Sequence, residues 1–335
     1  MAVAGLFMLG PSGLWASIDG IVLNRTSGKP QPGVGITLVK PGQQGMQTIG
    51  ATRSDASGHF VFQNDRPGGG PQLLQASYKG VNYNKLMTPN VPTSNVELDV
   101  FEATKSPAVA HIAQRMLLIE PSMSQIAVGE TILVQNDSNT TYNNTDLGGL
   151  RFFLPPAANG QVRISAQGSQ GMPLPRPAEK TGENDIFKVD FPIKPGETQF
   201  QVNYVLPVGS PFNFQGRAVN VKGMLAGPLR LIAPPGVTLA GNDIQQVGTE
   251  PKTQATIYNV TAPGSFSALV SGTGSLHNNG DSDAAQDTSD EPQVVQGKPQ
   301  IYDHLGWLVA LAFSILGVGL IALFRTSPVG SPSGR

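Results

Sequence analysis

Along the first 272 positions, apolar and polar residues alternate with a period of two, in short runs broken by turn formers. Ile18–Val22, Val34–Leu38, Thr48–Arg53, His59–Phe62, Leu73–Tyr78 and Val96–Val100 each read as a strand. In the last run Val96, Leu98 and Val100 face one way, while Glu97 and Asp99 face water. Between the runs lie turns: Asn24–Gly33 holds Gly28, Pro30 and Pro32, and Lys40–Gln47 is glycine-rich. In Ser54–Gly58, Asp55 is placed to accept a bond from the backbone two residues on, and Gly58 to take positive φ. Strands at this spacing predict a β-sandwich over residues 18–105.

A second set predicts another sandwich, Ig-like or related, over 106–272. Its strands are expected at Arg115–Glu120, Ala127–Val134, Arg151–Leu154, Val162–Ile164, Asp185–Phe191 and Gln199–Leu206. The clearest half-buried strand has Phe200, Val202, Tyr204 and Leu206 on one face. Val219 with Val221, Leu229 with Leu231, Ile257 with Val260, and Phe266, Ala268 and Val270 extend the pattern. The polar stretch from Asn136 to Gly149 reads as a loop, and its part from Asn136 to Thr145 as exposed and mobile. The expected fold class is therefore all-β: two tandem sandwiches, followed by one transmembrane helix.

That helix is read from residues 306–324, 19 consecutive residues without a charge and apolar on every face. As a helix they span about 30 Å, the thickness of a bilayer's hydrocarbon core. The span, taken as 304–325 with its flanks, is expected to place Arg325 and the tail 326–335 in the cytoplasm by the positive-inside bias. Gly306, Ala310 and Ser314 recur every four residues, a small-residue face on which two such helices can pack. Residues 273–303 carry five acidic residues from Asp281 to Glu291 against Lys298, which predicts a disordered acidic stalk. At the other end, residues 1–17 combine an apolar start with Leu14-Trp-Ala-Ser17 and read as a secretory signal without its positive charges. The expected location is the membrane, single-pass, with the β-domains extracytoplasmic.

Composition narrows the function. The absence of cysteine removes disulfides, thiolate metal sites and c-type haem attachment, so stability must come from ordinary apolar cores. A net charge of −1 with no basic stripe argues against a nucleic-acid partner. Few charges, at 13%, with 40 Gly and 28 Pro, suit β-structure with tight loops.

Three blocks carry a resemblance: Ile18-x-Gly20-x-Val22, then Gly28-x-Pro30-x-Pro32-Gly33-Val34-x-Ile36-x-Leu38, then Thr52-x-x-Asp55-x-x-Gly58-x-Phe60-x-Phe62. Together they resemble the carboxypeptidase regulatory-like domain, over roughly residues 18–103. The resemblance implies a transthyretin-like Greek-key sandwich and brings no catalytic residue. That fold group is also similar to starch-binding domains, an analogy for sugar binding only. The two modules with an anchor resemble exported bacterial envelope proteins.

Catalytic signatures are missing from the sequence. His59, His111, His277 and His304 form no metal-binding pair, and no Gly-x-Ser-x-Gly elbow occurs. Gly68-Gly-Gly-Pro71 lacks the Gly-Lys-Ser/Thr of a phosphate loop, and Asp55-x-Ser57-Gly58 lacks the further acidic ligands of a calcium loop. No cofactor or metal is expected. Asn24, Asn136, Asn139, Asn143 and Asn259 begin N-glycosylation triplets, three of them in one loop. Tyr78 and Tyr83 flank a turn; they read as an aromatic platform for a glycan or partner, or more simply as sandwich packing. The first expectation is a non-catalytic, membrane-anchored binding or scaffolding protein that contacts the bilayer and a protein partner. Carbohydrate recognition by the first sandwich is the alternative, and a hydrolase assembled from distant loops is a third.

Overall fold

The computed structural model describes residues 18–276, apart from positions 43–44, 63–69, 89–90, 170, 210–211 and 263. The signal-like segment, most of the stalk, and the apolar span with Gly306, Ala310 and Ser314 lie outside the described residues. Among those described the chain is all-β, with two three-residue 3-10 turns and no helix long and apolar enough to cross a membrane.

The first module contains β1 (Ile18–Asn24), β2 (Lys29–Pro30), β3 (Gly35–Gly42), β4 (Gly45–Arg53), β5 (His59–Phe62), β6 (Gln72–Tyr78), β7 (Val81–Met87) and β8 (Val96–Val100). In one sheet β1 pairs antiparallel with β2 and β5, and parallel with β8. The other sheet runs β4-β3-β6-β7, antiparallel throughout. Alternate residues from both sheets, among them Ile18, Val22, Ile36, Leu38, Phe60, Leu74 and Leu98, fill one apolar cluster between them. The repeated glycines in the motif have physical causes. A Cβ on Gly20 would lie 1.9 Å from Val96 O, so only glycine lets β1 and β8 approach beneath the Phe60 ring. Gly58 has φ +80° and closes the turn in which Asp55 Oδ1 accepts from the Ser57 and His59 amides at 2.8 and 2.9 Å.

β9 (Ala103–Thr104) ends the first module, and the second contains β10 (Ala110–Pro121), β11 (Gln125–Asn136), β12 (Thr141–Tyr142), β13 (Leu150–Phe153), β14 (Val162–Gly168), β15 (Leu174–Arg176) and β16 (Glu179–Lys180). It continues through β17 (Ile186–Val189), β18 (Gly196–Pro207), β19 (Phe212–Arg217), β20 (Leu229–Ala233), β21 (Val237–Ala240), β22 (Ile244–Thr249), β23 (Thr256–Val260) and β24 (Ser265–Gly272). Eight strands form one sheet in the order β15-β14-β18-β11-β10-β20-β23-β22. Two three-stranded sheets, β13-β17-β16 and β19-β24-β21, supply the opposing side of its core. Phe200, Val202, Tyr204 and Leu206 all point into that core, as their alternation predicts.

Four expectations are corrected. The strand foreseen at Asp185–Phe191 is confined to Ile186–Val189. The Val219–Val221 segment is no strand: Val219 O accepts from the Arg115 side chain and Val221 O from the Met224 amide, so no neighbouring strand takes them. The Asn136–Thr145 stretch is not an exposed loop throughout, because Asn136, Thr141 and Tyr142 are buried. Residues 273–276, assigned to the stalk by composition, also join the folded body. Gly274 N donates to Pro121 O at 3.1 Å, and Leu276 N to Glu120 Oε1 at 2.7 Å.

Candidate functional site

The buried part of the Asn136–Gly149 stretch docks the second module onto the first. β12 pairs in parallel with β9, and Thr141 N donates to Glu102 O at 2.8 Å. Asn143 N donates to Thr104 O at 2.9 Å, and the Thr26 hydroxyl donates to Asn139 O. Lys194 Nζ donates to Asn82 O at 2.5 Å and lies 5.1 Å from the centre of the Tyr83 ring. Burial holds the Lys194 ammonium well below the ordinary lysine range, at about 8.

Both tyrosines singled out in the sequence lie at this junction. Tyr83 is 5% exposed. Its hydroxyl sits 2.9 Å from Thr141 Oγ1 and donates to Phe101 O at 3.0 Å, while its ring packs against Phe101. These protein contacts occupy the faces that a ligand would need. Tyr78 is partly exposed, and its hydroxyl donates to Glu102 at 2.6 Å. Burial and the bond to Glu102 push the Tyr78 phenol up to about 12. The Tyr78 and Asn24 bonds hold the Glu102 carboxyl below its usual range. Two of the glycosylation asparagines are also structural. Asn24 and Asn136 are 2% and 1% exposed. The Asn24 amide donates to Gln31 and Glu102, and that of Asn136 to Thr140 O and Ile193 O. Neither nitrogen is open to modification in the folded chain.

Sequence reasoning missed a charge cluster inside the second module. Arg115 and Glu130 are 3% and 5% exposed, and Arg115 Nε lies 3.2 Å from Glu130 Oε1 at an angle unsuited to a hydrogen bond. Arg115 Nη2 reaches across the core to Arg151 O at 3.3 Å and Val219 O at 2.9 Å. One guanidinium thus ties β10 to the segment carrying β13 and to the loop after β19. Burial raises the Glu130 carboxyl, and the Arg115 charge offsets this only in part. Burial also raises Tyr204, with Glu130 adding to it. Arg115, Glu130, Tyr204 and Arg217 line a cavity of about 10 Å³, the size of one water. The missed signal was parity, since Glu130 falls in step with Ile126, Val128, Ile132 and Val134.

The other face of the eight-stranded sheet is different. Register places Asn259, Arg230, Met116, Thr131, Gln201 and Ser165 in one row across six strands. Ile257, Ile232, Leu118, Gly129, Asn203 and Arg163 form the next row. Gln114, Leu133, Gln199 and Gln167 form the row on the other side. All are partly or fully exposed, and none belongs to either apolar core. Arg230 and Arg163 are the only charges in these rows.

No family model matches the chain, and no curated protein matches it. Among solved structures, it is similar over 48% of its length to two crystal structures of a variant M1 zinc metallopeptidase from Deinococcus radiodurans, one of them bound to a Tyr-Ser-Ala substrate. Identity is 11% in both, with TM-scores of 0.26 and 0.27. The chain spans 42% of the length of those chains, and a likeness at this level carries no argument.

Proposed function

We propose that this chain is a non-catalytic, single-pass envelope protein whose residues 18–276 form an extracytoplasmic binding or scaffolding body. In this reading residues 18–105 are a carboxypeptidase regulatory-like, transthyretin-like sandwich and 106–272 an Ig-related one. Residues 304–325 anchor them in the bilayer. The observation that carries the reading is the outer face of the eight-stranded sheet, a broad surface of neutral amides and aliphatic side chains. Protein-binding surfaces are marked by depletion of charge at their centres. The hydrogen-bonded junction adds support, because it fixes one module relative to the other, as a scaffold requires.

Two measurements test this. Protease added to intact cells should degrade residues 18–276 and spare the tail. The tagged full-length chain should retain a protein partner, and Gln201→Lys should release it. Protection of the β-modules would overturn the topology, and retention on polysaccharide with no protein captured would overturn the binding role.

A further inference from the structure

We infer that the outer face of the eight-stranded sheet is a self-association surface, and that its occupant is the same face of a second copy of this chain. The inference deepens the binding role proposed above by naming the partner.

Size comes first. Three residue rows about 7 Å apart, two crossing six strands and one crossing four, with strands about 4.8 Å apart, cover about 500 Å² per partner. Two copies would bury about 1,000 Å² in total, the least that a specific protein interface needs. Chemistry comes next. A two-fold interface brings a patch onto itself, so the patch must be self-complementary. A charged face repels its own copy, whereas this one is neutral at its centre. Gln114, Gln199 and Gln201 each carry both a donor and an acceptor, so the same residues on a second copy can answer them. Met116, Leu118 and Leu133 lie among them on β10 and β11, only partly buried by the folded chain. Covering them removes apolar area from water without stranding a charge. Arg230 lies in the middle row beside Met116 and Arg163 on β14 in the adjoining row, four strands away, with Glu120 and Glu197 in the flanking rows, so a two-fold pairing has two charges of each sign to match.

The test is sedimentation equilibrium of the full-length chain in detergent micelles, from about 1 to about 100 µM, where interfaces of this size begin to associate. The wild type should be dimeric at the upper end. Leu133→Lys and Gln201→Lys should each weaken the dimer at least tenfold with unchanged far-UV circular dichroism. Ala310→Ile, in the apolar span, should leave it intact. Should Leu133→Lys misfold, Gln201→Lys decides, since it exchanges one solvent-facing polar residue for another. A wild type monomeric throughout, or a Gln201→Lys variant that dimerises like wild type, would overturn the inference. A dimer lost only on Ala310→Ile would overturn it too. A monomer that still retains a different protein in the capture experiment would remove this inference alone and leave the binding role standing.

Discussion

On the inner face of the eight-stranded sheet, Arg115 and Glu130 form an ion pair that is 3% and 5% exposed. On the outer face, Met116 and Thr131, the next residues along the same two strands, carry no charge. Charge thus sits where desolvation makes it expensive and is sparse where water would accept it freely. The inner charges have a structural use, because Arg115 satisfies two carbonyls that no strand claims. The missing outer charges have no such use within the folded chain. They make sense when the face is covered by something else.

Removing half of the inner pair should give the largest effect. Arg115→Met leaves Glu130 buried without its counter-charge, and urea unfolding should show a loss of about 3–5 kcal/mol. Arg115→Met combined with Glu130→Leu should recover most of it, since an apolar replacement of a buried pair is often neutral within about 1–4 kcal/mol. No recovery would mean that the bonds to Arg151 O and Val219 O, rather than the pairing, are what matter.

The next effect lies at the junction. Tyr83→Phe removes the hydroxyl that meets Thr141, which is fully buried, and should cost about 1–3 kcal/mol in the same measurement. Lys194 gives a pH signature of the same contact. Its folded value near 8 lies below the ordinary lysine value, so between about 8 and 10.4 the unfolded chain binds more protons than the folded one. Stability from this group therefore rises with pH across that window, by about 1–2 kcal/mol after allowance for its partial exposure. Lys194→Met should flatten that rise between pH 8 and 9.5.

The smallest stability effect belongs to the outer face. Gln201→Lys should change unfolding free energy by less than about 0.5 kcal/mol, as surface substitutions do, while weakening association. A large loss of stability would mean that the face is part of the fold and would erase the contrast with the inner side.

Much of the first module was legible because its strands are short and one-sided. Val96, Leu98 and Val100 are buried as their alternation demands, and Glu97 and Asp99 both pair with Arg25 on β1's flank. The second module was harder to read. On β10, Met116, Leu117, Leu118 and Ile119 are all apolar, so periodicity alone cannot say which side faces the core. Polar residues misled at the junction for a related reason. Asn136, Thr141 and Asn143 look like loop residues, yet their bonding groups are met by Ile193, Tyr83 and Thr104 from distant parts of the chain.

By itself, the sequence determined the β class and the turns around Asp55 and Gly58, because alternation and turn chemistry act between near neighbours. Only the tertiary structure decided that the modules are locked together, that Tyr83 is covered, and which face of the long sheet holds the ion pair. Those outcomes depend on which groups meet across tens of residues of intervening chain, and local spacing does not encode that.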